Sequence, residues 1–244
     1  MIPENIKIME PTFDFIVAYG IGSIAVLIAI IWSILIGCGN RKKTFLTLAI
    51  SIFVMTGSAV IAINGKLTDF NSFPPPMVIM ILGLVVMSFV MGLSPLGRTV
   101  VEKRSLIVLV GFQAFRFPLE LIMHRASEFK IMPIQLSYSG FNFDIITGLT
   151  GLLLFILIRS GIQVPLKFIW IWNIWGSLCL IVILIIAVTT SPMVRLFGDQ
   201  PENLNTWVLY FPYVWLPVVL VTIAITSHII IWRKLLSKLN NNLL

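Results

Sequence analysis

The chain has 244 residues, of which 58% are hydrophobic and 11% are charged, and its net charge is +7. Soluble domains carry roughly 25% charged residues, so this composition excludes a soluble globular fold and predicts an all-α, polytopic integral membrane protein that faces the lipid bilayer. The positive charge does not indicate a nucleic-acid partner, because the basic residues lie in short loops that are too small to form a reading surface.

Seven apolar runs predict seven transmembrane helices within a single transmembrane domain, residues 1–244. Most of the runs approach the ~20 residues needed to cross ~30 Å of hydrocarbon, whereas the fifth run is short. The predicted spans are residues 13–37, 44–63, 77–93, 105–126, 144–159, 166–189 and 208–232.

The lysine and arginine residues predict the orientation, because cytoplasmic loops are enriched in them. One side carries Arg41, Lys42, Lys43, Arg98, Lys103, Arg104, Arg159, Lys167, Arg233, Lys234 and Lys238. The other side carries Lys7, Lys66, Arg125, Lys130 and Arg195. Eleven basic residues against five place the first side in the cytoplasm, with the N-terminus outside and the C-terminus inside. Glu4, Glu10 and Asp14 precede the first apolar run, so a secretory signal is not expected.

The cysteines and histidines indicate no cofactor, which leaves the cofactors unknown. Cys38 and Cys179 lie in or beside apolar runs and lack the spacing of a metal or redox motif. His124 and His228 fall at opposite membrane faces in the predicted topology, about 30 Å apart, and therefore cannot share a metal or a haem. His228 is interpreted as an interfacial or capping residue near the cytoplasmic end of the last span.

The fourth span differs from the others, because its apolar run, Ser105–Phe115, is too short to cross the membrane. To cross, the helix must include Arg116, Glu120 and His124. At about 100° per residue, Gln113 and these three residues fall within an arc of about 80°. This face should turn into the bundle, since charges in lipid cost several kcal/mol. Arg116 and Glu120 are four residues apart and are expected to pair, with His124 next to Glu120.

Pro118 predicts a kink in the same helix. Proline lacks an N–H group, which leaves the Ala114 carbonyl without its helical partner and would open the helix toward the polar face. Two interpretations of that face compete: a buried Arg116–Glu120 pair that only fixes packing, or a ligand, proton or metal site open to the outside. Ionisable residues inside a membrane favour the second, although buried pairs are also structural.

Polar residues of two neighbouring spans extend the candidate site. Asn142 and Asp144 begin the fifth span, where they either cap the helix or join the site. Asn173 lies near mid-depth in the sixth span, where an amide usually forms hydrogen bonds across helices. The candidate ligand-binding residues are Gln113, Arg116, Glu120, His124, Asn142, Asp144 and Asn173. A metal site at Glu120, His124 and Asp144 is a less favoured alternative.

Three stretches carry a family resemblance: Phe115–His124, Asn142–Thr150 and Phe211–Pro217. They resemble an uncharacterised family of bacterial polytopic, seven-helix membrane proteins with no known activity. The resemblance covers about the second half of the chain. It implies a multi-pass protein of the bacterial cytoplasmic (inner) membrane, in which the fourth helix and the Asn142–Asp144 turn form one site.

Three hypotheses for function follow. The leading one is a non-enzymatic protein that binds or transports a small polar ligand or a proton through an outward-facing cavity. In it, Arg116 holds an anionic group, while Glu120 or His124 changes protonation. The second is a membrane-embedded, metal-dependent hydrolase or transferase acting on a lipid, in which the metal activates water. The third is a sensor or accessory subunit of a membrane complex, whose partner is another membrane protein.

Overall fold

The computed structural model describes residues 8 and 10–241, so Glu4 and Lys7 of the orientation argument lie outside the described residues. Within this range the regular elements are helices, and there is no strand. The α-helices are α1 (Phe15–Gly37), α2 (Arg41–Ile63), α3 (Pro76–Leu93), α4 (Pro95–Lys103), α5 (Leu106–Phe112), α6 (Arg116–Glu128), α7 (Asp144–Arg159), α8 (Leu166–Thr189) and α9 (Thr222–Asn241).

Six helical stretches of the described chain are long and apolar enough to cross a membrane. They are Phe15–Gly37, Arg41–Ile63, Pro76–Leu93, Leu106–Glu128, Leu166–Thr189 and Leu216–Lys238. Their outer faces carry large apolar side chains, such as Phe45 and Phe53 on α2, which are 74% and 79% exposed. Water disfavours such surfaces and lipid does not, so the chain is a helical, membrane-like protein. The sixteen residues of α7 extend only about 24 Å.

The last predicted span is wrong at its beginning. Residues 207–215 form a 3₁₀ turn, Trp207–Leu209, and further turns, and the helix begins only with the π-helical stretch Leu216–Val221. Pro212 and Pro217 lack the N–H groups that a continuous helix from residue 208 would need. The apolar side chains of the 3₁₀ turn are buried inside the protein. Their hydropathy is therefore as high as that of a membrane-spanning helix, although they do not form one.

The fourth predicted span contains the irregularity expected near Pro118. A 3₁₀ turn, Gln113–Phe115, separates α5 from α6, and Pro118 follows in the first turn of α6. Ala114, whose carbonyl Pro118 leaves without a helical partner, lies in the middle of this 3₁₀ turn. Arg116 and Glu120, which follow the break on α6, are both buried.

The last helix occupies the centre of the bundle. Of its most apolar stretch, 72% is buried, whereas the figure for α2 at the periphery is 17%. Helix α9 packs against α3, α4 and α8, and α7 packs against α5, α6 and α8. The inward faces of α6, α7, α8 and α9 therefore meet around the same central region.

Basic residues of the predicted cytoplasmic side form hydrogen bonds with carbonyl groups at the C-terminal ends of two helices. Arg104 Nε donates to the Leu35 carbonyl of α1 at 3.0 Å, and Arg233 Nη1 donates to the Gly92 carbonyl of α3 at 2.5 Å. The last carbonyls of a helix lack intrahelical donors and carry partial negative charge, so cations stabilise them.

Asp14 connects the beginning of α1 to the end of α6. Its Oδ1 accepts a hydrogen bond from the Val17 N–H at 2.9 Å. Arg125 Nε and Nη2 donate to the two carboxylate oxygens at 3.0 and 2.8 Å. The hydrogen bonds from Arg125 and then from Val17 lower the pKa of Asp14 from 3.8 to about 2.

This pair predicts a pH-dependent difference between the wild type and Asp14→Asn, a variant that keeps the cap but loses the charge. Because the pKa of about 2 in the folded state lies below 3.8, the pair stabilises the fold above about pH 4, and this stabilisation disappears as the pH falls toward 2. The wild type should have the higher Tm at neutral pH, and thermal melts should show the difference closing between these values. A difference that persists unchanged to pH 2 would show that the charge contributes nothing.

Candidate functional site

A buried ion pair between α6 and α7 forms the centre of the site. Arg116 Nε donates to Asp144 Oδ2 at 2.5 Å, and Nη2 contacts Oδ1 of the same carboxylate. Both side chains are buried, and the pair combines one charge-assisted hydrogen bond with a second ion contact. The predicted pairing of Arg116 with Glu120 along the helix is therefore wrong, because the Asp144 carboxylate from α7 contacts Nε and Nη2 of the guanidinium.

A glycine explains why Asp144 reaches Arg116. A Cβ atom at Gly148 would lie 2.3 Å from the backbone nitrogen of Phe117. Only glycine permits α7 to approach the first turn of α6 so closely. Asp144 lies one turn before Gly148 on the same face of α7, so this approach brings its carboxylate to Arg116.

Glu120 is held by an amide and has no cationic partner. Asn142 Nδ2 lies 3.0 and 2.9 Å from the two oxygens of Glu120, and 3.0 Å from the Leu136 carbonyl. Asn142 Oδ1 accepts from the Asp144 N–H at 3.1 Å, so this residue both caps α7 and joins the site. Among the described residues, no basic side chain forms an ion pair with Glu120, which is only 1% exposed.

His228 belongs to the same network, which corrects its interpretation as an interfacial residue. Arg116 Nη1 donates to His228 Nε2 at 2.7 Å, and His228 Nδ1 lies 2.7 Å from Asn173 Oδ1. The guanidinium has only donors, so Nε2 accepts, Nδ1 carries the hydrogen, and the ring is neutral. His228 is buried because the last helix begins at Leu216, which moves this residue from the helix end to its middle.

The burial of its helical neighbours agrees with the position of His228. Ala224 and Ile231, four residues before and three residues after it, are both buried. Residues at these spacings share one face of a helix, so the histidine lies on the inward face of α9.

Gln113 and His124 lie outside this network. Gln113 Nε2 donates to the Ala224 carbonyl at 3.4 Å. His124 is half-buried, lies 3.0 Å from the hydroxyls of Ser137 and Ser139, and stacks on Tyr138. The predicted contact between His124 and Glu120 is not formed, because serine hydroxyls of the loop after α6 contact Nδ1 and Glu128, one turn further along α6, lies 3.6 Å from Nε2.

The three residues of the metal hypothesis have separate partners. Glu120 is bonded to Asn142, His124 to hydroxyl groups, and Asp144 to Arg116. In the part of the chain that the structure describes, no group of three histidine, cysteine, aspartate or glutamate side chains is arranged to hold a metal ion.

A cavity of about 70 Å³ lies beside the network, with room for a few water-sized groups. Arg116, Glu120 and Asp144 contribute to its wall, and the remaining wall, mostly apolar, comes from α3, α6, α8, the π-helical stretch and the 205–208 turn. Gln113, His124, Asn142 and Asn173 do not line it. The cavity lies toward the end of the bundle where α3 and α7 begin and α8 ends, which is the predicted outer side.

Two residues of the cavity wall that the sequence did not indicate carry free polar atoms. Asn205 Oδ1 and Trp207 Nε1 are buried and have no hydrogen-bond partner within the described chain. Both residues line the cavity. These two atoms therefore lack the hydrogen-bond partners that buried polar groups nearly always have.

A single family match covers both the network and the cavity. Residues 74–236 match the family model described as "Domain of unknown function (DUF8737)", which contains every residue of the network and of the cavity wall and leaves α1 and α2 outside. No curated protein and no solved structure matches the chain. Because the match covers more than half of its length, the chain belongs to this family of unknown function.

Proposed function

We propose that the chain is a seven-span protein of the bacterial inner membrane that binds a small ligand in the cavity beside Glu120, reached from the outer side, and transports or senses it. One observation carries this proposal: three buried ionisable side chains, Arg116, Glu120 and Asp144, contribute to the wall of one otherwise apolar cavity. Intramembrane ionisable groups are costly and mark ligand and ion pathways.

The seventh span in this proposal is α7, Asp144–Arg159. It packs against α5, α6 and α8, all three of which belong to the candidate spans Leu106–Glu128 and Leu166–Thr189. A span that is a few ångströms short is accommodated by local thinning of the bilayer. The basic residues are in excess on the predicted cytoplasmic side, and the cavity lies toward the other side of the bundle. This distribution of charge supports an outward-facing cavity.

Packing alone does not account for Glu120. The Arg116–Asp144 pair has the geometry of a structural ion pair, in which each charge satisfies the other. Glu120 adds a second buried carboxyl group without a cation, and an apolar side chain would fill its place at less cost. This residue therefore supports a binding role more strongly than Arg116 does.

The cavity wall narrows the kind of ligand. Asp144, His228 and the Gly176 carbonyl together contact all three guanidinium nitrogens of Arg116, which argues against the hypothesis that Arg116 holds an anionic group. The apolar wall suits a small molecule with an apolar body and one polar group, rather than a fully hydrated polar ligand.

A cavity-filling variant tests the proposal. Leu184 lines the cavity, and the neighbouring Ile185 is 57% exposed on the outer face of α8. Ethylamine, ethanol and propionate are small enough for a cavity of about 70 Å³ and offer the same ethyl group with three different charges. At ten times its Kd, a bound probe stabilises the fold by about 1.4 kcal/mol, which raises Tm by roughly 3–6 °C. We expect at least one probe to do so in the wild type and in Ile185→Trp, but not in Leu184→Trp.

Two outcomes would overturn the proposal. One is that none of the three probes raises the Tm of the wild type at millimolar concentration. The other is that Leu184→Trp, folded as judged by its own cooperative melt, retains the full stabilisation seen in Ile185→Trp.

A further inference from the structure

We infer that a lateral groove between α1 and residues 210–215 binds a membrane phospholipid with an amine headgroup, one acyl chain of which lies along α1. The groove is a second site, because its wall shares no residue with the wall of the cavity beside Glu120. The size and position of the groove, its aromatic end and the charge of Glu10 lead to this assignment.

The groove has the size and the length of a site for a lipid chain. Its volume is about 670 Å³, and sites for small molecules have roughly 300–1,000 Å³. The residues of α1 that line it run from Ala18 to Ile30, which corresponds to about 18 Å along the helix. One leaflet contributes about 15 Å to the hydrocarbon core of a bilayer. An acyl chain that crosses one leaflet therefore matches the groove in length.

The groove opens toward the lipid. Val26, Leu27 and Ile30 line it and are exposed on the outer face of α1, which is long and apolar enough to cross a membrane. Because the groove begins where α1 begins, it lies in the outer leaflet of the proposed topology. A lipid of that leaflet can enter it from the side without leaving the bilayer.

The packing around Gly22 shapes the groove. A Cβ atom at Gly22 would lie 3.8 Å from the ring of Trp215 and 3.9 Å from Pro212, so any larger side chain would extend into the space between α1 and the turn. Trp215 Nε1 donates to the Met55 carbonyl of α2 at 2.9 Å, which fixes the ring that forms one wall. The shape of the groove therefore depends on contacts with α1 and α2 and not on an occupant.

Aromatic side chains line the end of the groove at which α1 begins. Phe13, Tyr19 and Tyr210 contribute to this end, and the rings of Phe13 and Tyr19 meet edge to face with their centroids 6.5 Å apart. Aromatic residues favour the headgroup level of a membrane, and their faces attract ammonium groups. This end of the groove therefore suits the headgroup of a lipid whose chain lies deeper along α1.

Glu10 gives the same end a negative charge. Burial and then the charge of Glu10 raise the pKa of Tyr210, so the carboxylate lies near the phenol. Asp14, the next acidic residue, is already paired with Arg125. Among the described residues, no basic side chain pairs with Glu10 and none lines the groove. The ammonium of an ethanolamine headgroup would meet a carboxylate and aromatic faces, whereas a purely anionic headgroup would meet no cation.

Photolabelling in vesicles tests this assignment. The protein is reconstituted into phosphatidylglycerol with a trace of photoreactive lipid, either phosphatidylethanolamine or phosphatidylglycerol, that carries the same diazirine-bearing acyl chain. Labelling of residues 18–30 is compared with labelling of α2, which does not line this groove. We expect the ethanolamine lipid to label residues 18–30 about fivefold more than the glycerol lipid does, and both lipids to label α2 equally.

Two pairs of variants locate the contacts. Glu10→Gln should remove the headgroup preference, whereas Glu202→Gln, a partly exposed glutamate on the same predicted side, should keep it. Gly22→Phe places a ring in the groove and should also remove the preference. Gly83→Phe is the matched substitution, since a Cβ at Gly83 meets nothing within 4 Å, and it should behave as the wild type does.

Three outcomes would overturn the assignment. The first is a wild type in which residues 18–30 show no more preference for the ethanolamine lipid than α2 does. The second is a preference that persists unchanged in Glu10→Gln or in Gly22→Phe. The third is a groove that neither lipid labels in a protein that forms dimers, which would assign the groove to a second copy of the chain. The wild-type comparison remains decisive even if a variant does not fold, and none of these results bears on the cavity beside Glu120.

Discussion

Replacing Asp144 by alanine should lower the free energy of unfolding by about 3–5 kcal/mol, because it leaves the Arg116 guanidinium buried without its counter-charge. Arg116 is 1% exposed, and its other partners, His228 and a carbonyl, are neutral. Denaturant titrations of the wild type and the variant in the same mixed micelles would measure the difference.

An exposed ion pair provides the control. Asp199 pairs with Arg195 at 3.3 Å, and its side chain is 53% exposed, so Asp199→Ala should cost no more than about 1 kcal/mol. Replacing Arg116 and Asp144 together by leucine should recover much of the loss, since no charge is then left buried. A loss below about 1 kcal/mol for Asp144→Ala would show that the pair is not the central contact of the bundle.

Gly148→Ala should destabilise the protein by about 3 kcal/mol, at the upper end for a single added carbon in a packed core. The new Cβ would lie 2.3 Å from the Phe117 nitrogen and 2.9 Å from its Cα, which are backbone atoms that cannot rotate away. Helix α7 would have to move away from α6, and Asp144 would move with it.

Gly83→Ala is the matched substitution for this prediction. Gly83 lies inside α3, and a Cβ there meets nothing within 4 Å. Alanine is the better helix former, so this variant should be neutral or up to about 1 kcal/mol more stable. The same unfolding titration compares both glycines, and equal effects at the two positions would contradict the close contact between α6 and α7.

Local pattern in the sequence accounts for much of the fold and for part of the site. The predicted spans 144–159 and 166–189 coincide with α7 and α8, because the apolar runs there begin and end where the helices do. Helical spacing predicts that Glu120 faces the interior of the bundle. The apolar run before it is too short to cross the membrane, so the helix must include Glu120, and the structure has this residue at the wall of the cavity.

The partners of these charges could not be predicted in the same way. Helical spacing relates residues of one helix, so it paired Arg116 with Glu120. The actual pairing with Asp144 depends on how closely two helices approach, which Gly148 decides. A glycine in an apolar run has no hydropathy signal that distinguishes a contact point from an exposed position.

His228 was misplaced for a different reason. Hydropathy does not distinguish the buried turns around Trp207 from a membrane-crossing helix, so the last span was predicted to begin too early. That error moved His228 to the helix end. It also hid the contribution of Asn205 and Trp207 to a cavity whose other walls come from distant parts of the chain.

A structure of the wild type determined at a saturating concentration of the probe that raises its Tm tests the central claim most directly. The probe should occupy the cavity beside Glu120 in the wild type and in Ile185→Trp, and should be absent from this cavity in Leu184→Trp. A probe that lies elsewhere on the protein, or a cavity that stays empty at saturation, would contradict a binding site in this cavity.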